Sequence, residues 1–288
     1  MVRDTLLRAV AACLLAPAAL PAAAEPVRLE IVDARAGPNL PEVCCLSGAD
    51  TLPDGSLLIV SDKSTLFEAE LDAGAGRLTL THSAPLTLSD GTPLPKWRAD
   101  AEGVAIGPGD KLHITFEGDH RAARYDGARG VSSAPAPTDL GLPKNGGLEA
   151  LAVDAGGTLW AIPETARGTG FPLLRLTGSR WEAAGALHAS GGYLPVGADF
   201  DAAGALYVLE RKFSFLRFQG RVRRLTLGPG GIEGIETVWE GAPGAYDNLE
   251  ALVVIEGGGQ PKSLLMISDD NGLPVQETQA LLLKLDVD

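Results

Sequence analysis

The chain reads as an all-β protein, a β-propeller of five four-stranded antiparallel blades, on three observations. A hairpin pattern recurs five times along the sequence. Its period is close to fifty residues and helical periodicity is scarce, which is the signature of a propeller. The strand opening each copy alternates Ala, Gly and Asp with Leu, Val and Ile, as strands crowded around a common axis require.

The copies are LSGADTLPDGSLLIVSDK (Leu46–Lys63), AEGVAIGPGDKLHITFEGDHR (Ala101–Arg121), LEALAVDAGGTLWAIPE (Leu148–Glu164), VGADFDAAGALYVLERK (Val196–Lys212) and LEALVVIEGGGQPKSLLMISDDN (Leu249–Asn271). Counted from Ser47, Glu102, Glu149, Gly197 and Glu250, the offsets are 55, 47, 48 and 53 residues. Each copy is a short strand, a turn rich in Gly, Asp and Pro, and a second strand. Strand-like runs such as STLFEAEL and RLTLTH, or FLRFQGRVRRLTL and IETVWE, complete the blades. The last copy has three evident strands, ending in ALLLKLDV (Ala280–Val287), and VRLEIVD (Val27–Asp33) offers the fourth. That strand would clip the ring shut and remove an exposed edge. Six blades remain an alternative if Ser83–Lys96 or Pro135–Asn145 hides a degenerate unit.

Residues 1–24 read as an export signal: Arg3 and Arg8, the apolar run LLRAVAACLLAPAAL, then Ala22-Ala23-Ala24 before Glu25. Residues 25–288 form a single domain, expected in the periplasm or secreted. The formal charge of −13 becomes −14 once the leader is gone, so nucleic acid and anionic membranes are not expected partners. No apolar run suits a membrane span, and a monomer is expected. Cys44 and Cys45 are adjacent, which leaves two packing thiols or a vicinal disulfide open and excludes a disulfide framework.

Neighbouring strands of a blade are antiparallel, so the start of the first lies beside the end of the second. Ser47 pairs with Asp62, Glu102 with Glu117, Glu149 with Glu164, Gly197 with Glu210, and Glu250 with Asp269. All these positions fall on one face, around the mouth of the axial channel. A ring of acids follows: Asp62, Glu102, Glu117, Glu149, Glu164, Glu210, Glu250 and Asp269, with Asp270 and Asn271 behind. Like charges so placed raise one another's pKa unless offset. An oxygen-only set suits a hard cation, calcium first. Lys63, Arg121, Arg211 and Lys212 offer a basic rim for an anionic substrate. Glutamates opening strands could equally accept backbone N–H groups from the next blade.

In this order the copies resemble the phytase-like family, "esterase-like activity of phytase", of exported bacterial proteins. The matching stretches are LSGADTLPDGSLLIVSDK, DAEGVAI with FEGDHRAARY, NGGLEALAVD, GADFDAAGALYVLER, and NLEALVV with ISDDN. The resemblance implies a β-propeller and hydrolysis of phosphate or other esters. It carries over the motif acids and bases, among them Glu117, Asp119, His120 and Arg121, but no nucleophile. Gly197 departs from the acid pattern.

No G-x-S-x-G, S-x-x-K, H-E-x-x-H, Walker A or C-x-x-C pattern occurs. Of the four histidines only His120 sits among acids and an arginine, where it could act as general acid, with Glu117 and Asp119 beside it. The expected function is metal-assisted hydrolysis of phosphomonoesters or small esters at the acidic mouth. The rival readings are a periplasmic binding module with a structural ion, and a calcium propeller of lactonase type.

Overall fold

The computed structural model describes residues 24–37, 40–135, 141–143 and 146–285. Of the export signal, all but Ala24 lies outside the described residues, as does much of Pro135–Asn145. After β1 (Val27–Asp33) come four strands of a first blade, β2 (Leu46–Thr51), β3 (Leu57–Ser61), β4 (Thr65–Asp72) and β5 (Arg77–Pro85). A single 3-10 turn at Lys96–Arg98 leads to β6 (Ala101–Gly107), β7 (Lys111–Phe116), β8 (Arg121–Asp126) and β9 (Arg129–Pro135). The third blade is β10 (Leu148–Val153), β11 (Leu159–Pro163), β12 (Gly170–Thr177) and β13 (Arg180–His188). The fourth is β14 (Leu194–Phe200), β15 (Leu206–Ser214), β16 (Arg217–Gly228) and β17 (Gly231–Glu240). β18 (Asn248–Glu256), β19 (Pro261–Asp269) and β20 (Ala280–Lys284) make three strands of a fifth. The described residues of Ser83–Lys96 and Pro135–Asn145 contain no further blade.

β1 divides its seven residues between two partners. Val27, Arg28 and Leu29 pair antiparallel with β20, supplying the fifth blade's fourth strand. Glu30 to Asp33 pair parallel with Arg77 to Leu80 of β5, the outer strand of the first blade. The second pairing has no signature in the repeat, because it uses an outer edge that every blade presents alike.

Apolar side chains fill five seams, one between each pair of neighbouring blades. Within β3, Leu57 and Ile59 join the core shared with Val253 and Leu265 of the fifth blade. Leu58 and Val60 face the other way, against Val104 and Ile114 of the second. This period-two alternation with both faces buried explains strands that are apolar throughout. The remaining seams bring Leu148 and Leu151 against Ala105, Val208 against Ile162 and Phe171, and Leu209 against Leu252 and Met266. Each fully buried Leu, Ile or Phe contributes about 1.5–3 kcal/mol. The fold is therefore held at the seams, and the inner strand ends are available for charge.

Candidate functional site

The inner strand of every blade carries a bulge near its start. Pairing shifts between Leu46 and Gly48, Ala101 and Val104, Leu148 and Ala150, Pro195 and Gly197, and Leu249 and Ala251. The extra residues are Ser47, Glu102 beside Gly103, Glu149, Val196 and Glu250. A bulge leaves its residue outside the ladder and re-aims its side chain, here toward the mouth. The blade-four residue is thus Val196, and the alignment through Gly197 is one residue out. Gly197 is instead the counterpart of Gly48 and Gly103, which let adjacent inner strands touch. A Cβ on it would meet the carbonyl oxygen of Glu250 at 2.5 Å.

That correction relocates the second tier. Asp62, Glu117 and Glu164 each stand 15 residues after the bulge residue, and 15 after Val196 is Arg211. In the ladder Glu210 faces Pro195 while Arg211 faces Leu194. A one-residue step reverses a side chain's direction along a strand. Glu210 accordingly points away from the acids. It is fully buried in a three-way pair with Arg221, 2.9 Å away, and Arg223 at 2.5 Å. Glu210 holds the blade together and is not placed to bind a metal with the others.

Arg211 brings a cation into the mouth. It reaches Glu164 of the third blade at 3.2 Å and Glu250 of the fifth at 2.8 Å. It also donates to Asn248 Oδ1 at 2.6 Å, and Asn248 Nδ2 donates to Glu250 at 2.8 Å. On the opposite side Asp100, Glu102 and Glu117 place one carboxylate oxygen each within 4.8 Å of one another. None of the salt bridges among the described residues engages these three or Glu149. Glu117 accepts a hydrogen bond from the Gly146 amide, and its own amide donates to the Asp100 carbonyl at 2.9 Å. Asp62 leaves its buried Oδ1 without a partner while Oδ2 takes Lys63 at 2.9 Å.

Burial and mutual repulsion act on the same group of carboxylates. Burial, then Glu149, Glu250, Asp100 and Glu117, push Glu102 well above the usual carboxylate range. Glu149 is raised by burial and by Glu164, Glu117 and Glu250. Asp100 rises through burial and the Glu117 and Asp62 charges. Burial lifts Glu250 to about 7 against the pull of Arg211. Asp269 is lifted to about 6 by burial, with Asp62 and Asp270 adding to it. The donor set is oxygen throughout and carries excess negative charge, which fits a hard divalent cation.

Other expected residues sit elsewhere. Asp119 is clamped between Arg98, at 2.9 Å, and Arg121. Arg121 is buried, its guanidinium 3.7 Å above the Phe116 ring, and also donates to the Arg98 carbonyl at 3.0 Å. Neither is turned to a substrate at the mouth. Lys212 lies 5.5 Å over Tyr193. Asp270 accepts from the amides of Cys45 and Gly272 and from Thr278, forming a group with the thiols of Cys44 and Cys45. Asn271 donates its amide to Asp269 at 2.6 Å and shapes the turn. His120 sits in the turn after β7 with φ 46°, its Nδ1 buried against Gly147 and Glu117 without a hydrogen bond. Asp100 and Asn248 join the expected acids at the mouth; each stands two residues before a glutamate of the site, and that spacing is their signal in the sequence.

A propeller with converging carboxylates at one mouth is the class that fold and site define. The chain belongs to the phytase-like family, esterase-like activity of phytase, whose pattern matches residues 41–272. No curated protein matches the chain. In fold it is similar to the PQQ-bound aldose sugar dehydrogenase of Streptomyces coelicolor, at 15% identity and TM-score 0.50, over 85% of this chain and 95% of that one. XC5397 of Xanthomonas campestris, a gluconolactonase, is similar at 15% identity and TM-score 0.50, over 85% of this chain and 87% of that one. No helix among the described residues is long and apolar enough to cross a membrane.

Proposed function

We propose that the protein is an exported, monomeric, metal-assisted hydrolase of ester bonds working at the acidic mouth. The carrying observation is the triplet Asp100, Glu102 and Glu117, gathered within 4.8 Å and outside the salt bridges among the described residues, opposite acids that Arg211 engages. Asp100, Glu102 and Glu117 would hold a calcium ion, with Glu149 and Asp62 nearest to complete the set. When bound, the ion supplies Lewis acidity toward the ester and its attacking water. Arg211 holds the Glu164 and Glu250 carboxylates in place, and so fixes the far wall. Glu149, raised in pKa by burial and the neighbouring acids and in no salt bridge among the described residues, is suited to accept a proton. His120, packed against Gly147 beside Glu117, would act on the leaving alkoxide as the general acid. In this reading β1 closes the ring, and the first 24 residues direct export.

The test is metal content and turnover together. Protein purified without chelator is assayed with nitrophenyl acetate, butyrate and phosphate and with phytate, beside Glu102→Gln. Retained calcium and a loss of at least about a hundredfold in the variant support the reading. A metal-loaded wild type silent on every ester would leave a binding module instead.

A further inference from the structure

The mouth has an apolar annex. β15 and β16 run past Arg211 as a hairpin, and the loop after Asp269 rises beside it. Between them lies a groove of about 790 Å³ lined by Phe213, Leu216, Phe218, Leu273, Val275 and Tyr246, with Arg28, Arg217 and Asp247 adding charge to its wall. Five large apolar residues of this region stand open to solvent: Phe213 at 59%, Phe215 at 97%, Leu216 at 89%, Leu273 at 49% and Val275 at 85%. Scattered apolar exposure is ordinary, but a contiguous patch of this kind marks a binding surface.

The hairpin tip carries its own evidence. Ser214 pairs with Arg217, leaving a two-residue turn. Its central residues are Phe215 at φ 50° and Leu216 at φ 60°. Such turns select Asn-Gly, because positive φ is costly for bulky side chains. Strain kept together with exposed apolar bulk points to use.

The groove is continuous with the acids. Its wall residue Asp247 immediately precedes Asn248, the partner of Arg211 and Glu250. Gln276, also on the wall, accepts from Asn271, whose amide holds Asp269. Three cations near the mouth are engaged by carboxylates, Arg211 by Glu164 and Glu250, Arg121 by Asp119 and Lys63 by Asp62, while Lys212 lies over the Tyr193 ring and Arg217 lines the groove. We propose that the substrate is an uncharged ester with an extended apolar acyl group, its carbonyl at the acidic mouth and its chain along the groove between Phe213 and Leu273. This rests on the ester-hydrolase reading and narrows it away from polyphosphorylated substrates.

The decisive variant is Phe215→Asn with Leu216→Gly. It removes the apolar tip and installs residues suited to the turn, so its melting temperature should hold or rise. Wild type and variant are compared on nitrophenyl acetate and octanoate, with phytate as a third substrate. The expected result is an octanoate-to-acetate ratio of kcat/KM of at least about ten in wild type, falling toward one in the variant. An unchanged ratio in the variant, or wild type preferring phytate or acetate, overturns the proposal. A second measurement stands apart from turnover: fluorescence of the neutral apolar probe N-phenyl-1-naphthylamine, displaced by methyl octanoate. Probe binding lost in the variant supports the groove even if no ester is cleaved, in which case the hydrolase reading alone fails. Equal probe binding by both proteins, or tip-dependent cosedimentation with phosphatidylcholine vesicles without chain-length preference, overturns it.

Discussion

Gly48 and Glu102 belong to adjoining blades, and a Cβ on Gly48 would meet the Glu102 carbonyl oxygen at 2.3 Å. The oxygen is backbone on an inner strand and cannot swing aside. Gly48→Ala must therefore move β2 away from β6, and overpacking of this kind costs about 1–3 kcal/mol. The expected outcome is a lower melting temperature together with weaker calcium retention, since Glu102 is carried on the displaced strand. Calorimetry and metal content of the same sample check it. A variant as stable as wild type would show that the seams can relax where the geometry says they cannot.

Glu210 tests the register of the fourth blade. Its carboxylate is fully buried and satisfied by Arg221 and Arg223. Glu210→Ala strands two arginines that are themselves less than a tenth exposed, and breaking a buried pair this way costs about 3–5 kcal/mol. Calcium stoichiometry in the fraction that stays folded should not change. Denaturant unfolding and elemental analysis separate the two effects. Loss of calcium at full stability would return Glu210 to the mouth.

How far the sequence could be read is visible in that same blade. The hairpin recurrence placed all five inner strands, and VRLEIVD coincides with β1 residue for residue. The acids of blades one, two, three and five gather as their spacing implies, because a repeated hairpin repeats its strand ends in space. Blade four misled because Gly197 looks like the start of a copy, whereas the bulge residue is Val196. The constant interval of 15 residues already led from Val196 to Arg211. Arg121 and Asp119 depart from the expected arrangement for another reason. Adjacency in sequence cannot tell a guanidinium facing the mouth from one folded over Phe116 onto Asp119. The groove was invisible because Phe213, Leu216 and Leu273 meet only through the packing of two separate loops.

Arg211 links blades three and five through blade four, so its removal should be felt as charge before it is felt as packing. Arg211→Met leaves Glu164, Glu250 and Asn248 without their common partner. The arginine is about a quarter exposed, so the cost should fall toward or below the low end of the range for a broken buried pair, at about 2–3 kcal/mol. Added calcium should recover part of it by serving the uncovered carboxylates, a recovery Glu210→Ala would not show. Thermal melts of both variants with chelator and with calcium make the comparison. Identical calcium responses would mean that Arg211 and the ion do not share a site.

The raised carboxylates also fix the sign of the pH dependence. In the unfolded chain Asp and Glu titrate near 4, whereas Asp269 is held at about 6 and Glu250 at about 7, with Asp100, Glu102 and Glu149 raised as well. Between those values the folded protein binds more protons than the unfolded chain, so stability falls as pH rises from about 4 to about 7. That is the reverse of an ordinary salt-bridged acid. A divalent cation binds the ionised form, so its stabilisation should grow over the same interval. At a hundredfold excess over its Kd it contributes about 2.7 kcal/mol. The metal-free protein should melt progressively lower from pH 5 to pH 7.5, with calcium restoring little at pH 5 and most at pH 7.5. A chelated protein whose melting temperature climbs with pH, or calcium that stabilises equally at both ends, would mean that these acids are ionised and satisfied within the protein itself.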